Sequence, residues 1–189
     1  MPIKVYVDQG HNPRDFNTGA EGNGYFEQDI TYEVGRLLYN YLLENPEFTP
    51  RLSRPTPDTV LGTSNASSVT ARVREANSWG ADIFVSIHTN ASTNPSANGA
   101  EALIYSTDAR DAYLLAEDII TEMTTITGLR NRGIVERPGL YVLRRTQMPA
   151  VLVELGFITN PSDAELMATS PNLFALGIYR GILDYYGLR

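Results

Sequence analysis

The sequence has no cysteine and only two histidines among its 189 residues. Without cysteine, the chain forms no disulfide bond, no thiolate metal site and no cysteine nucleophile. A membrane-spanning helix needs about 20 consecutive apolar residues, and no run of that length is present, so we expect no membrane span. The opening residues, MPIKVYVDQGH, enter a strand-like segment directly and lack the pattern of a secretory signal.

Positive charge is also scarce. Fifteen basic residues stand against 22 acidic ones, which gives a formal net charge of −7 and a pI near 4.8. Proteins that bind nucleic acid rely on a basic face, because neutralising phosphates supplies much of their affinity. No cluster of lysine and arginine would serve that purpose here, so we expect no nucleic-acid partner.

Apolar segments typical of strands alternate with segments that have a helical apolar face. The predicted strands are residues 3–8, 49–54, 82–88, 101–105 and 150–155, with further short strands within 133–143 around Gly139. The predicted helices begin near Glu27, span 69–79, follow Asp108 through Met123, and close the chain over 172–186; residues 12–26 and 55–68 are predicted loops. This alternation predicts an α/β fold with a twisted, mostly parallel sheet of about six strands and helices on both faces. The length fits one domain over residues 1–189.

The two histidines, His11 and His88, each stand at the carboxyl end of a predicted core strand. In open α/β sheets, ligands bind outside the carboxyl ends of the strands. If these two strands are parallel neighbours, both imidazoles open into the same crevice. A histidine at the end of a strand also occurs as a hydrogen-bonded structural residue, so other residues must decide between a structural role and metal binding.

Two glutamates occupy positions where a carboxylate is costly. Glu27 shares the apolar face of its helix with Ile30 and Val34 and requires a partner there, unless it is a half-solvated carboxylate at the helix N-terminus. Glu154 ends the apolar strand AVLVEL. It is predicted either to form a buried salt bridge, for example with Arg144, or to lie beside a metal with a pKa suited to proton transfer.

Two imidazoles and one carboxylate give zinc three protein ligands and leave a fourth position for water. Zinc lowers the pKa of such a water from about 15.7 to about 7. A second carboxylate, here Glu154, would then take the proton and pass it to a leaving amine. Iron is the alternative metal for two histidines and a carboxylate, but an iron site explains Glu154 less well.

Four segments, in order, resemble those of the zinc-dependent N-acetylmuramoyl-L-alanine amidases of bacterial autolysins and phage endolysins. These segments are VYVDQGHNP, FEQDITYEVGRLL, ARVREANSWGADIFVSIHTNAS and LYVLRRTQMPAVLVELGFITNPSDAELM. The resemblance implies that His11, Glu27 and His88 bind one zinc ion per chain and that Glu154 is catalytic. It also implies cleavage of the amide between N-acetylmuramic acid and L-alanine in peptidoglycan. Asn12-Pro13 replaces the usual glycines, and residues 55–68 form a longer stretch than expected.

The resemblance further implies that the protein acts outside the cell, at the cell wall. Because no secretory signal is apparent, we expect phage delivery, another export route, or a sequence from which a leader has been trimmed. No wall-binding repeats are recognised, so a wall-binding module would be separate from this chain.

Three residues near the predicted site are weaker candidates. Asn90 alternates with His88 along the strand and could contact substrate, and Glu101 could orient a ligand histidine. Arg132 could bind a carboxylate of the stem peptide. The alternatives are that Asn90 only shapes the loop, that Glu101 is a solvated carboxylate at a strand end, and that Arg132 belongs to a surface salt bridge.

Two other functions remain open for the same set of residues. A zinc peptidase would use the same ligands and the same glutamate on a different bond. A non-catalytic wall-binding module with structural zinc would need a closed shell of four protein ligands, which would require Glu154 as the fourth.

Overall fold

A computed structural model describes residues 1–189 as eight strands and six helices. The strands are β1 (Ile3–Gln9), β2 (Glu21–Gly22), β3 (Tyr25–Phe26), β4 (Phe48–Leu52), β5 (Ile83–Asn90), β6 (Ala100–Ile104), β7 (Asn131–Glu136) and β8 (Ala150–Phe157). The helices are α1 (Glu27–Leu43), α2 (Asn65–Trp79), α3 (Arg110–Thr127), α4 (Tyr141–Arg145), α5 (Pro161–Thr169) and α6 (Pro171–Tyr185). None of the helices is long and apolar enough to cross a membrane.

Six strands form one sheet in the order β4-β1-β5-β8-β6-β7, and β2 pairs with β3 in a separate short hairpin. Strands β4, β1, β5 and β8 are mutually parallel, whereas β6 and β7 run the opposite way because β6 pairs antiparallel with β8. The predicted α/β fold with a mostly parallel sheet of about six strands is therefore confirmed.

Helices cover both faces of the sheet, as predicted. The larger core lies on one face beneath α1, α3 and α6, and the smaller core lies on the other face beneath α2 and α4. Helix α6 packs very closely on α3, because a Cβ atom at Gly177 or Gly181 would come within 2.4 Å of a Cα atom of α3. The core under α2 and the short α4 contains 10 buried residues, against 28 in the larger core.

The predictions fail mainly where short elements interrupt the loops. Helix α2 begins at Asn65, within the predicted 55–68 loop, because the Ser64 side chain caps it in a reciprocal pair with Ser67. After β7, residues 137–140 turn into α4, so no strand forms around Gly139. Helix α5 was not predicted, although Asn160 caps it and Pro161 occupies its first turn.

Strands β1 and β5 are parallel neighbours, with Gln9 paired to Ile87 at their carboxyl ends. The condition for bringing the two histidines together is therefore met. Helix α1 begins at Glu27, as predicted, so its first turn lies at the same edge of the sheet.

Candidate metal centre and active site

The two histidines and Glu27 converge at the carboxyl ends of β1 and β5. His11 Nε2, His88 Nδ1 and Glu27 Oε1 form a nearly equilateral triangle in which each pair of atoms is 3.1 Å apart. These three residues are the group in the chain whose ligand atoms could hold a metal ion, and Glu154 is not part of it. The structure therefore offers three protein ligands rather than a closed shell of four.

The geometry of the triangle fits a zinc ion. Nitrogen and oxygen ligands about 2.1 Å from a tetrahedral ion lie about 3.4 Å from one another, close to the distances observed here. Two imidazoles and a carboxylate are also a donor set that zinc accepts. The three residues present are therefore suited to a zinc ion.

The His11 ring is turned toward the triangle by its own loop. His11 follows β1 in the left-handed backbone region, with φ of 67°, which is uncommon for residues other than glycine. Its Nδ1 lies 3.2 Å from the carbonyl oxygen of Asn17. A proton on Nδ1 donates to that oxygen and leaves the Nε2 lone pair for a metal, as second contacts of ligand histidines usually do.

Glu27 is buried and held as a carboxylate by several donors. Its Oε2 accepts from the backbone N–H of Ala20 at 2.8 Å, and its Oε1 accepts from the backbone N–H of Thr89 at 2.9 Å. Burial opposes ionisation, but the hydrogen bonds and charges of His11 and His88 outweigh it and hold the pKa of the carboxyl well below its usual range. The placement of Glu27 on the core-facing side of α1 is confirmed, and its exposed fraction is only 3%.

His88 lies against the backbone of the first loop. A Cβ atom added to Gly10 would come within 2.6 Å of His88 Cε1, so only glycine lets the β1 end pass this close to the ring. The two imidazoles meet edge to face, with ring centroids 4.7 Å apart. This tight packing fixes the relative position of two of the three candidate ligands.

Glu154 lies beside the triangle without joining it. It pairs in register with His88 on β5 and with Glu101 on β6, so all three side chains project from one face of the sheet. Its buried Oε2 has no hydrogen-bond partner, and Arg144 is exposed on α4, so the alternative salt bridge does not form. Burial, followed by the charges of Glu27 and Glu101, raises the pKa of Glu154 to about 8, against the opposing charge of Arg137.

The three weaker candidates form one cluster next to Glu154. Asn90 Nδ2 donates to Glu101 Oε1, and Arg132 Nε lies 3.5 Å from Glu101 Oε2. The Arg132 guanidinium also stacks over the ring of Phe157 at 5.0 Å and donates to the carbonyl of Asn98 at 3.3 Å. Glu101 makes no hydrogen bond to either histidine, so its direct contacts tie Asn90 to Arg132.

Sequence reasoning missed a buried ion pair beneath the centre. Arg72 of α2 and Asp8 of β1 are 2% and 1% exposed and form a salt bridge. Two signals pointed to it: an aspartate late in the apolar first strand, and an arginine next to Val73 on the apolar side of a helix. A cavity of about 230 Å³ opens over this pair and the two histidines and leaves room for a substrate group.

Comparisons with known proteins identify relatives of this chain. The profile of the N-acetylmuramoyl-L-alanine amidase family matches residues 5–184. The chain is 36% identical over 185 residues to the N-acetylmuramoyl-L-alanine amidase LytC of Bacillus subtilis, covering 96% of this chain and 35% of that protein. It is 37% identical over 180 residues to the N-acetylmuramoyl-L-alanine amidase CwlM of Bacillus licheniformis, covering 95% of this chain and 65% of that protein.

A solved structure agrees over nearly its whole length. The crystal structure of the N-acetylmuramoyl-L-alanine amidase from Clostridium difficile 630 superposes with a TM-score of 0.88 at 29% identity, covering 98% of this chain and 97% of that one. The two curated relatives are longer than this chain, which spans about a third of one and just under two thirds of the other. The family profile and the relatives together establish that this chain belongs to the N-acetylmuramoyl-L-alanine amidase family.

Proposed function

We propose that residues 1–189 form a single catalytic domain that hydrolyses the amide between N-acetylmuramic acid and L-alanine in bacterial peptidoglycan. The observation that carries the proposal is the triangle of His11, Glu27 and His88, with its three ligand atoms 3.1 Å apart. Membership of the amidase family supports the choice of bond.

His11, Glu27 and His88 would hold one zinc ion per chain. When bound, zinc supplies Lewis-acid chemistry: it lowers the pKa of a water to about 7 and polarises a carbonyl. The absence of a fourth protein ligand among the converging residues argues against a purely structural ion, because structural zinc sites are normally closed by four protein ligands.

Glu154 is proposed as the general base and acid. Its carboxyl lies next to His88 in the sheet, and its buried Oε2 has no other partner. It takes the proton of the attacking water and then delivers it to the amine that leaves on the L-alanine side. Without metal, burial and the charges of Glu27 and Glu101 raise the pKa of Glu154 to about 8; the positive charge of a bound zinc ion would lower this pKa toward the neutral range that a general base and acid requires.

Asn90 and Arg132 are proposed to contact the substrate beside Glu154. Glu101 bonds to both of them and would hold them in place. The Arg132 side chain is 31% exposed, so it retains N–H groups that could receive a carboxylate of the stem peptide. Peptidoglycan would therefore lie along the face of the sheet that carries Glu101 and Glu154.

The proposed place of action is the bacterial cell wall, outside the cytoplasm. Both autolysin and phage endolysin roles suit such a domain. A wall-binding module would be a separate unit, and the greater length of the two curated relatives leaves room for one in those proteins.

Product analysis tests the proposal directly. Purified peptidoglycan is digested with the wild-type protein, and the products are separated by HPLC and identified by mass spectrometry. We expect intact stem peptides that carry a new free amine on L-alanine. Shortened stem peptides would instead identify a peptidase, and unchanged peptidoglycan would contradict both activities.

A further inference from the structure

We propose that Arg72 is a positioning residue for the metal centre, which it serves by clamping the main chain that carries His11. This inference rests on the proposed metal site but concerns a residue that touches neither the triangle nor the scissile bond. The case depends on the contacts of Arg72, on the backbone of His11, and on the packing of His88 from the opposite side.

The Arg72 guanidinium holds two carbonyl groups that flank Gly10. Its Nη2 donates to the carbonyl oxygen of His11 at 2.6 Å, and its Nη1 donates to the carbonyl oxygen of Gln9. Both peptide groups therefore point toward one planar cation. The side chain reaches them from α2, which covers the smaller core.

The rest of the network compensates the buried charge. Arg72 Nη1 also donates to Asp8 Oδ1, and Asp8 Oδ2 accepts from Ser86 Oγ at 2.7 Å. Ser53 Oγ lies 3.3 Å from the same Nη1 and accepts from the backbone N–H of Gln9 at 2.9 Å. An arginine buried to this degree needs such partners, and here those partners also fix the end of β1.

The contacts of Arg72 hold residues 9–11, a segment whose backbone conformation requires support from its surroundings. His11 has φ of 67°, a conformation that a non-glycine residue keeps only when its surroundings impose it. On the opposite side, Gly10 is in contact with the His88 ring. The backbone of residues 9–11 is therefore held between the guanidinium and the second ligand histidine, and the direction of the His11 ring follows from that position.

Lysine cannot replace arginine at this position. A single ammonium group lacks the planar fork that reaches two carbonyls and a carboxylate at once. Arg72→Lys keeps the charge opposite Asp8 but is expected to release at least one of the two carbonyls. The ligand triangle then loses its fixed geometry while the charge balance of the interior is retained.

The test compares Arg72→Lys with Val73→Ala. Val73 is the next residue of the same helix, is 4% exposed, and belongs to the smaller core, so its truncation destabilises the fold without loosening the clamp. For each protein, the zinc dissociation constant is measured by competition with a chelator, and the visible spectrum of the cobalt(II)-loaded form reports ligand geometry. Unfolding of the metal-free proteins by denaturant gives their stabilities.

We expect Arg72→Lys to weaken zinc binding about tenfold or more, the scale seen when a group supporting a metal ligand is removed, and to change the cobalt spectrum. Val73→Ala should leave the zinc affinity and the cobalt spectrum unchanged, even if it lowers the free energy of unfolding as much as Arg72→Lys does. Zinc affinity and a spectrum equal to those of the wild type in Arg72→Lys would overturn the inference. A wild-type protein that binds no zinc would instead overturn the proposed metal centre.

Ser53→Ala covers the case in which Arg72→Lys does not fold. It removes one hydroxyl that contacts both the guanidinium and the Gln9 N–H group and leaves every charge in place. We expect zinc binding to weaken severalfold with a changed cobalt spectrum. Unchanged binding and spectrum in this variant would count against the clamp.

Discussion

Two carboxylates on the same face of the sheet, Asp8 and Glu154, flank the metal centre and have opposite surroundings. Asp8 is buried with Arg72 and Ser86, whose charge and hydrogen bonds overcome the effect of burial and lower its pKa. Glu154 is half-buried, with its Oε2 atom inaccessible to solvent, and desolvation together with the charges of Glu27 and Glu101 raises its pKa to about 8. The difference is one of partners rather than depth, because burial disfavours ionisation at both positions.

The two sides of the centre therefore suit different tasks. On the β1 side, the charge of Arg72 is paired and its carbonyl contacts hold a ligand loop in place. On the β8 side, one oxygen of Glu154 has no partner, which leaves it available to a reacting group. We infer that the first side fixes geometry and the second side moves protons.

Removing a ligand should have the largest effect. His88→Ala deletes one corner of the triangle, and we expect loss of both bound zinc and measurable peptidoglycan hydrolysis, because two remaining ligands hold the ion poorly. Elemental mass spectrometry and turbidity loss of a peptidoglycan suspension check this. Full zinc occupancy in the variant would exclude His88 as a ligand.

Changing the proton carrier should separate chemistry from metal binding. Glu154→Gln keeps the shape of the side chain, and we expect activity to fall about 10²–10⁴-fold, the usual contribution of a general acid or base, with zinc retained. Glu117→Gln, an exposed position on α3, is the matched control and should behave as the wild type. An active Glu154→Gln protein would remove Glu154 from this role.

The positions of His11, His88 and Glu27 could be predicted from the sequence because the apolar patterns of the strands and of α1 are clear. The apolar runs before His11 and His88 placed both at strand ends, and the helical apolar face placed Glu27 inward. Residue Glu154 was conspicuous in its strand for the same reason. The sheet order, which makes β1 and β5 neighbours, followed only from the structure.

The parts that were missed depend on contacts between distant segments. Nothing local shows that Arg72 reaches back to the carbonyl of His11, 61 residues earlier. The serine-rich residues before α2 read as a loop because serine favours turns and helix caps alike, and here Ser64 is a cap. Similarly, the sequence left open whether Glu101 orients a ligand histidine or is a solvated carboxylate, whereas its hydrogen-bond and salt-bridge partners, Asn90 and Arg132, lie on β5 and β7.

The raised pKa of Glu154 predicts a pH-dependent cost to stability in the metal-free protein. The folded state keeps the proton up to about pH 8, whereas the unfolded chain releases it near pH 4.5, so this group lowers the free energy of unfolding progressively between those values. Glu154→Gln lacks that cost and should be more stable than the wild type by a few kcal/mol at pH 8, but not at pH 4.

Denaturant unfolding of both proteins across this pH range, with chelator present, measures the difference. If the difference in the free energy of unfolding between Glu154→Gln and the wild type does not increase from pH 4 to pH 8, the environment assigned to Glu154 is contradicted. Glu117→Gln again serves as the control, since its exposed side chain should show no such trend.

We expect the smallest effect on activity from a substitution of Arg132, at the edge of the proposed substrate-binding cluster. Arg132→Ala should raise KM severalfold for a soluble muropeptide with a free stem carboxylate and leave kcat nearly unchanged, because the residue is proposed to bind rather than to react. Arg130→Ala, an exposed neighbour, is the control. An unchanged KM would remove Arg132 from substrate binding.

The central claim, that three residues hold a catalytic zinc ion, is tested most directly by metal content coupled to lysis. Zinc per chain is measured on the purified wild-type protein by elemental mass spectrometry, and turbidity loss of peptidoglycan is followed before and after chelation. We predict about one zinc per chain, with lysis abolished by the chelator and restored by added zinc. A protein without metal whose lysis is insensitive to chelation would contradict the account.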